Sequence, residues 1–105
     1  MVNPIPQTAI SLPYSTIAEF CQKHHIVKMA LFGSVLHDTF HADSDIDVLV
    51  EFAPNTIIGY KITHIQNELS DLLGYPVDLI TFTSLRESTR PYILADAQII
   101  YESTR

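Results

Sequence analysis

Residues 45–52, DIDVLVEF, constrain the fold more than any other stretch of this chain. Apolar Ile46, Val48 and Val50 alternate with Asp45, Asp47, Leu49 and Glu51. Successive side chains of a strand point to opposite faces, so this period of two predicts a strand with a packed face and an acidic edge. A helix would scatter the same residues around its circumference. The chain must therefore build a sheet and supply the elements that cover one side of it.

The flanking pattern supplies them. Ser11 can cap a first helix running to about residue 24, with Pro13 in its first turn and Leu12, Ile17, Phe20 and Cys21 along its inner side. His24 and His25 close that helix, where imidazoles suit the dipole. An apolar run over 27–32 ends at Gly33 and predicts a strand entering a tight turn. Residues 34–40 read as a short helix or turn, and 41–44 as a polar loop. After a loop over 53–58, Ile62, Ile65, Leu69, Leu72 and Leu73 fall at helical spacing within 59–73, and Gly74 fits a helix stop. A third strand covers 76–81. A last helix is expected over 85–95, capped by Thr83 or Ser84 and kinked or split by Pro91. A closing strand covers 98–101. This order is an α/β domain with a mixed β-sheet flanked by helices. No repeat or linker divides it, so residues 1–105 read as one domain with an irregular lead-in over about 1–11.

Charge narrows the function. The net charge of -6 argues against nucleic acid as the main ligand, because phosphate backbones are bound through Lys and Arg. Between Lys28 and Lys61 there is no Lys or Arg, yet Asp38, Asp43, Asp45, Asp47 and Glu51 all fall there. Cys21 is the single cysteine, so no intrachain disulfide is expected. The first ten residues lack the basic flank of a targeting peptide, and no apolar run approaches the length of a membrane span. The expected setting is the cytoplasm, away from membranes.

Residues 33–52 read GSVLHDTFHADSDIDVLVEF: Gly-Ser, ten residues, then Asp-x-Asp, with an apolar strand on each flank. Gly33 allows a sharp turn and a close approach of phosphate. Ser34 offers a hydroxyl and a backbone N–H at the start of a turn or helix, which suits an anion. Asp45 and Asp47 share one face of a strand about 6.5 Å apart. Two carboxylates at that distance repel by about 3 kcal/mol at an effective dielectric of about 20. A divalent cation offsets that repulsion, and hard oxygen ligands beside a polyphosphate favour Mg²⁺. Asp78, in the next strand, completes a set able to hold two metal ions if the two strands are neighbours. It is also placed to accept a proton from an attacking hydroxyl.

At these residues the chain resembles the polymerase-β-type nucleotidyltransferase superfamily. SDIDVLVEF, GYPVDLIT and RPYILADAQIIYE are similar to the minimal MNT nucleotidyltransferases, over about residues 15–102. The resemblance implies the minimal nucleotidyltransferase fold, Mg²⁺, and ATP or another triphosphate as donor. It implies a hetero-oligomer with a HEPN-domain toxin, usually an RNase, which an MNT antitoxin neutralises by adenylylating a tyrosine. By position, Gly33 and Ser34 match phosphate binding; Asp45, Asp47 and Asp78 match metal binding and catalysis. One departure stands out. Many relatives follow Gly-Ser with an Arg-x-Arg-Gly run, where this chain has Val35, Leu36, His37 and Asp38. His37, Lys61, Arg86 and Arg90 are the candidate replacements for the missing positive charge.

The other features have plain readings. His37 and His41, four apart, lack the further ligands of a zinc site. Arg86 and Arg90 fit a solvated helix face, or contact with phosphate or an acidic partner. Tyr60, Tyr75, Tyr92 and Tyr101 suit core edges, although any could accept a nucleotide. The expected function is transfer of AMP to a partner toxin. The rival is a binding module that blocks the toxin sterically; a small-molecule nucleotidyltransferase is disfavoured because no second domain remains to hold an acceptor.

Overall fold

The computed structural model describes residues 12–37, 40 and 43–103. The lead-in over 1–11 with its Ser11 cap, and the expectations for Asp38 and His41, lie outside the described residues.

Helix α1 (Tyr14–Lys23) leads through a tight turn, with His25 at φ 60°, into β1 (Ile26–Phe32). A 3-10 turn (Gly33–Leu36) follows, then β2 (Ile46–Phe52), α2 (Lys61–Leu73) and β3 (Val77–Thr81). A second 3-10 turn (Phe82–Ser84), α3 (Arg90–Asp96) and β4 (Gln98–Glu102) complete the fold. The sheet order is β3-β2-β1-β4. β1 runs antiparallel to both β2 and β4, whereas β2 and β3 are parallel and joined through α2. Parallel neighbours need such a crossover, since a hairpin cannot return the chain in the same direction. The sheet is mixed, as the order of elements led one to expect.

The alternation in β2 divides the molecule. Ile46, Val48 and Val50 join Met29 and Leu31 of β1 and Val77 and Leu79 of β3 in the main core, beneath Ile17, Phe20 and Cys21 of α1 and Ile65 and Leu69 of α2. Burial of a side chain of this size stabilises the fold by about 1.5–3 kcal/mol, so this layer dominates stability. The opposite face is not simply acidic. Leu49 is only 4% exposed, packed with Ala30 and Leu85 under a fringe of Phe32, Ile80, Phe82, Ile93 and Ala97.

The short helix or turn expected after Gly33 is a 3-10 turn over Gly33–Leu36, whose Val35 is fully buried. One element differs from expectation. The last helix is shorter and begins later than 85–95. Pro91 lies in its first turn rather than at a kink, because a residue without an N–H is tolerated only where that N–H would have no helical partner. Neither expected cap acts at α3: Thr89 precedes that helix, and Ser84 Oγ donates to the Thr81 carbonyl at 2.8 Å. Gly74 does end α2, in the left-handed region at φ 80°, with its N–H donating to Ser70 O at 2.8 Å.

Candidate active site

Asp47 and Asp78 are register partners on the parallel pair β2 and β3. Each is flanked by core residues, Ile46 and Val48 for the first and Val77 and Leu79 for the second, so both carboxylates emerge on the face opposite α1 and α2. Asp45 is exposed just ahead of β2. Asp47 is half-buried and Asp78 is exposed. Burial raises the Asp47 carboxyl above its ordinary range, and the charges of Asp78 and then Asp45 push it further in the same direction. The charges of the two other acids predicted from sequence thus reach Asp47.

Phe32 pairs with Asp47 across β1 and β2, which brings Gly33 beside the same carboxylate. Gly33 has φ 81°, and a Cβ added there would collide with Asp47 Oδ2. Both the backbone conformation and the space require glycine. Its N–H does not stand free: it donates to Asp96 Oδ2 at 3.1 Å. The other oxygen of Asp96 pairs with His37 Nε2, also at 3.1 Å. Asp96 was missed in the sequence, where it is an ordinary acid at a helix end. No spacing rule could link it to a glycine 63 positions away.

The candidate cations are scattered. His37 is held by Asp96. Arg90 donates from Nη2 to Leu85 O at 3.1 Å and lies 5.6 Å from the Phe82 ring centroid, so it ties the second 3-10 turn to α3. Lys61 and Arg86 are exposed, at the start of α2 and ahead of α3. Of the tyrosines, Tyr75 and Tyr101 pack at the core edge, whereas Tyr60 and Tyr92 face solvent.

The donors at the acidic site are all carboxylate oxygens, a set that suits a hard divalent cation such as Mg²⁺. Among the described residues no three His, Cys, Asp or Glu side chains already stand at spacing that would hold an ion, so the acids would have to close around one. A cleft of about 510 Å³ lies elsewhere. Its walls include Glu51, Phe52, Ile58, Ile62, Thr81 and Phe82, at the far ends of β2 and β3 from Asp47 and Asp78. The paired carboxylates and the glycine turn, rather than that cleft, form the candidate site.

The sequence profile of the nucleotidyltransferase domain matches residues 14–101. The chain belongs to that family. This nucleotidyltransferase is 37% identical over 73 residues to a candidate protein adenylyltransferase of Methanocaldococcus jannaschii, covering 69% of each protein. Its fold is similar to that of a chain in a crystal structure of a toxin–antitoxin with AMP-PNP, with a TM-score of 0.72 and 22% identity over 89% of this chain and 76% of the other. It is similar also to a chain in the complex of tri-AMPylated Shewanella oneidensis HEPN toxin with MNT antitoxin, with a TM-score of 0.64 and 20% identity over 86% and 70%. Among the described residues no helix is long and apolar enough to cross a membrane.

Proposed function

We propose that this nucleotidyltransferase transfers AMP from ATP to a tyrosine hydroxyl of a HEPN-domain toxin, and thereby acts as the toxin's antitoxin in the cytoplasm. The observation that carries the reading is the pairing of Asp47 with Asp78 in register on parallel strands, with the Gly33 backbone against Asp47. The similarity to a candidate protein adenylyltransferase and to a chain in complex with an AMPylated HEPN toxin supports a toxin protein as acceptor.

Asp45, Asp47 and Asp78 are the residues that would hold Mg²⁺, two ions in the full arrangement. When bound, Mg²⁺ would draw charge from the α-phosphate and offset the charge of the departing pyrophosphate. The chain's own residues do the rest. Gly33 keeps side-chain bulk away from the phosphates, and Ser34 offers its hydroxyl and N–H to them. Asp78, exposed at the site's rim, accepts the proton of the attacking tyrosine. The tyrosine oxygen bonds to the α-phosphorus as the bond to the β-phosphate bridge breaks, and pyrophosphate leaves. Positioning and electrostatics supply the rate, as in other phosphoryl-type transfers.

One observation favours a second reading, a module that blocks its partner without chemistry. The turn after Gly33 carries buried Val35 and an Asp96-bound His37 where relatives place arginines, so the described residues of that turn offer the triphosphate no arginine. Intact-mass spectrometry of the toxin, incubated with this protein, ATP and Mg²⁺, separates the two. The enzyme adds mass in units of AMP, and Asp47→Asn abolishes the gain. An unmodified toxin that is still neutralised by Asp47→Asn at matched expression would leave the blocker standing.

A further inference from the structure

Asp96 ends α3 on the carboxylate side of the sheet, and it spends both oxygens on one short segment. Oδ2 accepts from the Gly33 N–H and Oδ1 pairs with His37 Nε2, each at 3.1 Å. Gly33 opens the 3-10 turn and His37 follows its last residue, so one carboxylate fastens both ends of the turn. The turn's internal bond, from His37 N–H to Ser34 O at 2.9 Å, lies between these two anchors. Val35, fully buried, pins the middle of the turn into the main core. Three attachments thus leave the turn little freedom to shift. The close fit of Gly33 to Asp47 makes that restriction matter, because a shift of the glycine would change the space around the carboxylate.

The geometry points to Asp96 as a positioning residue for nucleotide binding. It holds the Gly33–Ser34 turn at a fixed distance from Asp47 and so sets where the triphosphate meets the carboxylates. This role rests on the nucleotide reading above. It also assigns His37, the residue standing where relatives have arginine, a structural partner inside the protein. Asp96 acts through hydrogen bonds accepted by its oxygens, and Asn in its place can accept from Gly33 N–H through its amide oxygen and donate to His37 Nε2 through its amide nitrogen.

The test is calorimetric titration of ATP with Mg²⁺ into wild type, Asp96→Ala and Asp96→Asn, alongside hydrogen exchange at the Gly33 amide. Loss of a charge-assisted hydrogen bond corresponds to a roughly tenfold change in an equilibrium constant. Asp96→Ala is therefore expected to bind ATP about tenfold more weakly and to exchange Gly33 N–H faster, while Asp96→Asn recovers affinity to within about threefold of wild type. A purely structural role would lower the melting temperature of Asp96→Ala but leave the ATP affinity of the folded protein unchanged; that result overturns the inference. So does an Asp96→Asn variant as weak as Asp96→Ala. Should Asp96→Ala not fold, His37→Ala, which removes one anchor, takes its place, and unchanged affinity there likewise counts against the role. A wild type that binds no ATP defeats the proposed function itself, and it does so before any variant is compared.

Discussion

On one side of the sheet, Ile46, Val48 and Val50 lie under two helices with almost no exposed surface. One residue away along the same strand, Asp47 faces Asp78 from the neighbouring strand, partly buried and raised in pKa by burial and by other acids. Stability alone accounts for the first side. It does not account for the second, because like charges placed side by side oppose folding, and larger apolar residues at both positions would cover more of the sheet. Asymmetry within a single strand therefore separates the layer that holds this protein together from the face proposed to bind metal and nucleotide. Glu68 shows that the chain can also use charge in a conventional way. On the helix side its carboxylate takes Lys23 Nζ at 2.7 Å and His24 Nε2 at 3.2 Å, each acid oxygen satisfied by a partner.

Cutting into the helix-covered side should do the most damage to the fold. Leu69→Ala empties a fully buried position and is expected to cost about 2–5 kcal/mol in chemical denaturation. A loss below about 1 kcal/mol would mean that α2 is not the element that seals the sheet.

The opposite sign is expected across the sheet. The Asp47 carboxyl is raised, so folding favours its protonated form. That contribution is present below the ordinary carboxylate pKa of about 3.9 and is lost as pH rises through the folded value. At neutral pH ionised Asp47 thus opposes folding. Asp47→Asn should raise the melting temperature of the metal-free protein at pH 7, and the gain should shrink to nothing near about pH 3. A fall in melting temperature at pH 7 would show that Asp47 serves the fold instead.

The smallest effect belongs to the paired charges on the helix side. The Lys23 hydrogen bond, with help from His24, lowers the Glu68 carboxyl despite its partial burial. Its stabilisation is present above the ordinary glutamate range and lost as pH falls through the folded value. Glu68→Gln should cost less than about 1 kcal/mol at pH 7, because the pair is partly exposed, and nothing in strong acid. A pH-independent loss would point to packing rather than charge.

Much of this division was legible before any coordinates. The period-two alternation of β2 placed Ile46, Val48 and Val50 inside and Asp47 outside, and the Gly33–Ser34 and Asp-x-Asp spacing brought the turn to the acids. What the sequence hid depended on distant partners. Leu49 reads as an exposed companion of Asp47 until Leu85 is seen to cover it. Asp96 reads as a solvated acid until its bond to Gly33 appears. The late start of α3 was obscured because a proline inside a helical pattern can mark either a kink or a first turn, and only the backbone decides between them.

The central claim is that the acidic side of the sheet is a metal and nucleotide site. Calorimetry of ATP binding, with Mg²⁺ and with EDTA, on wild type and on the Asp45→Asn/Asp47→Asn double variant, tests it most directly. Binding is expected only for wild type with Mg²⁺, with loss of at least about tenfold in affinity in the other three cases. Equal affinity in all four would contradict the account.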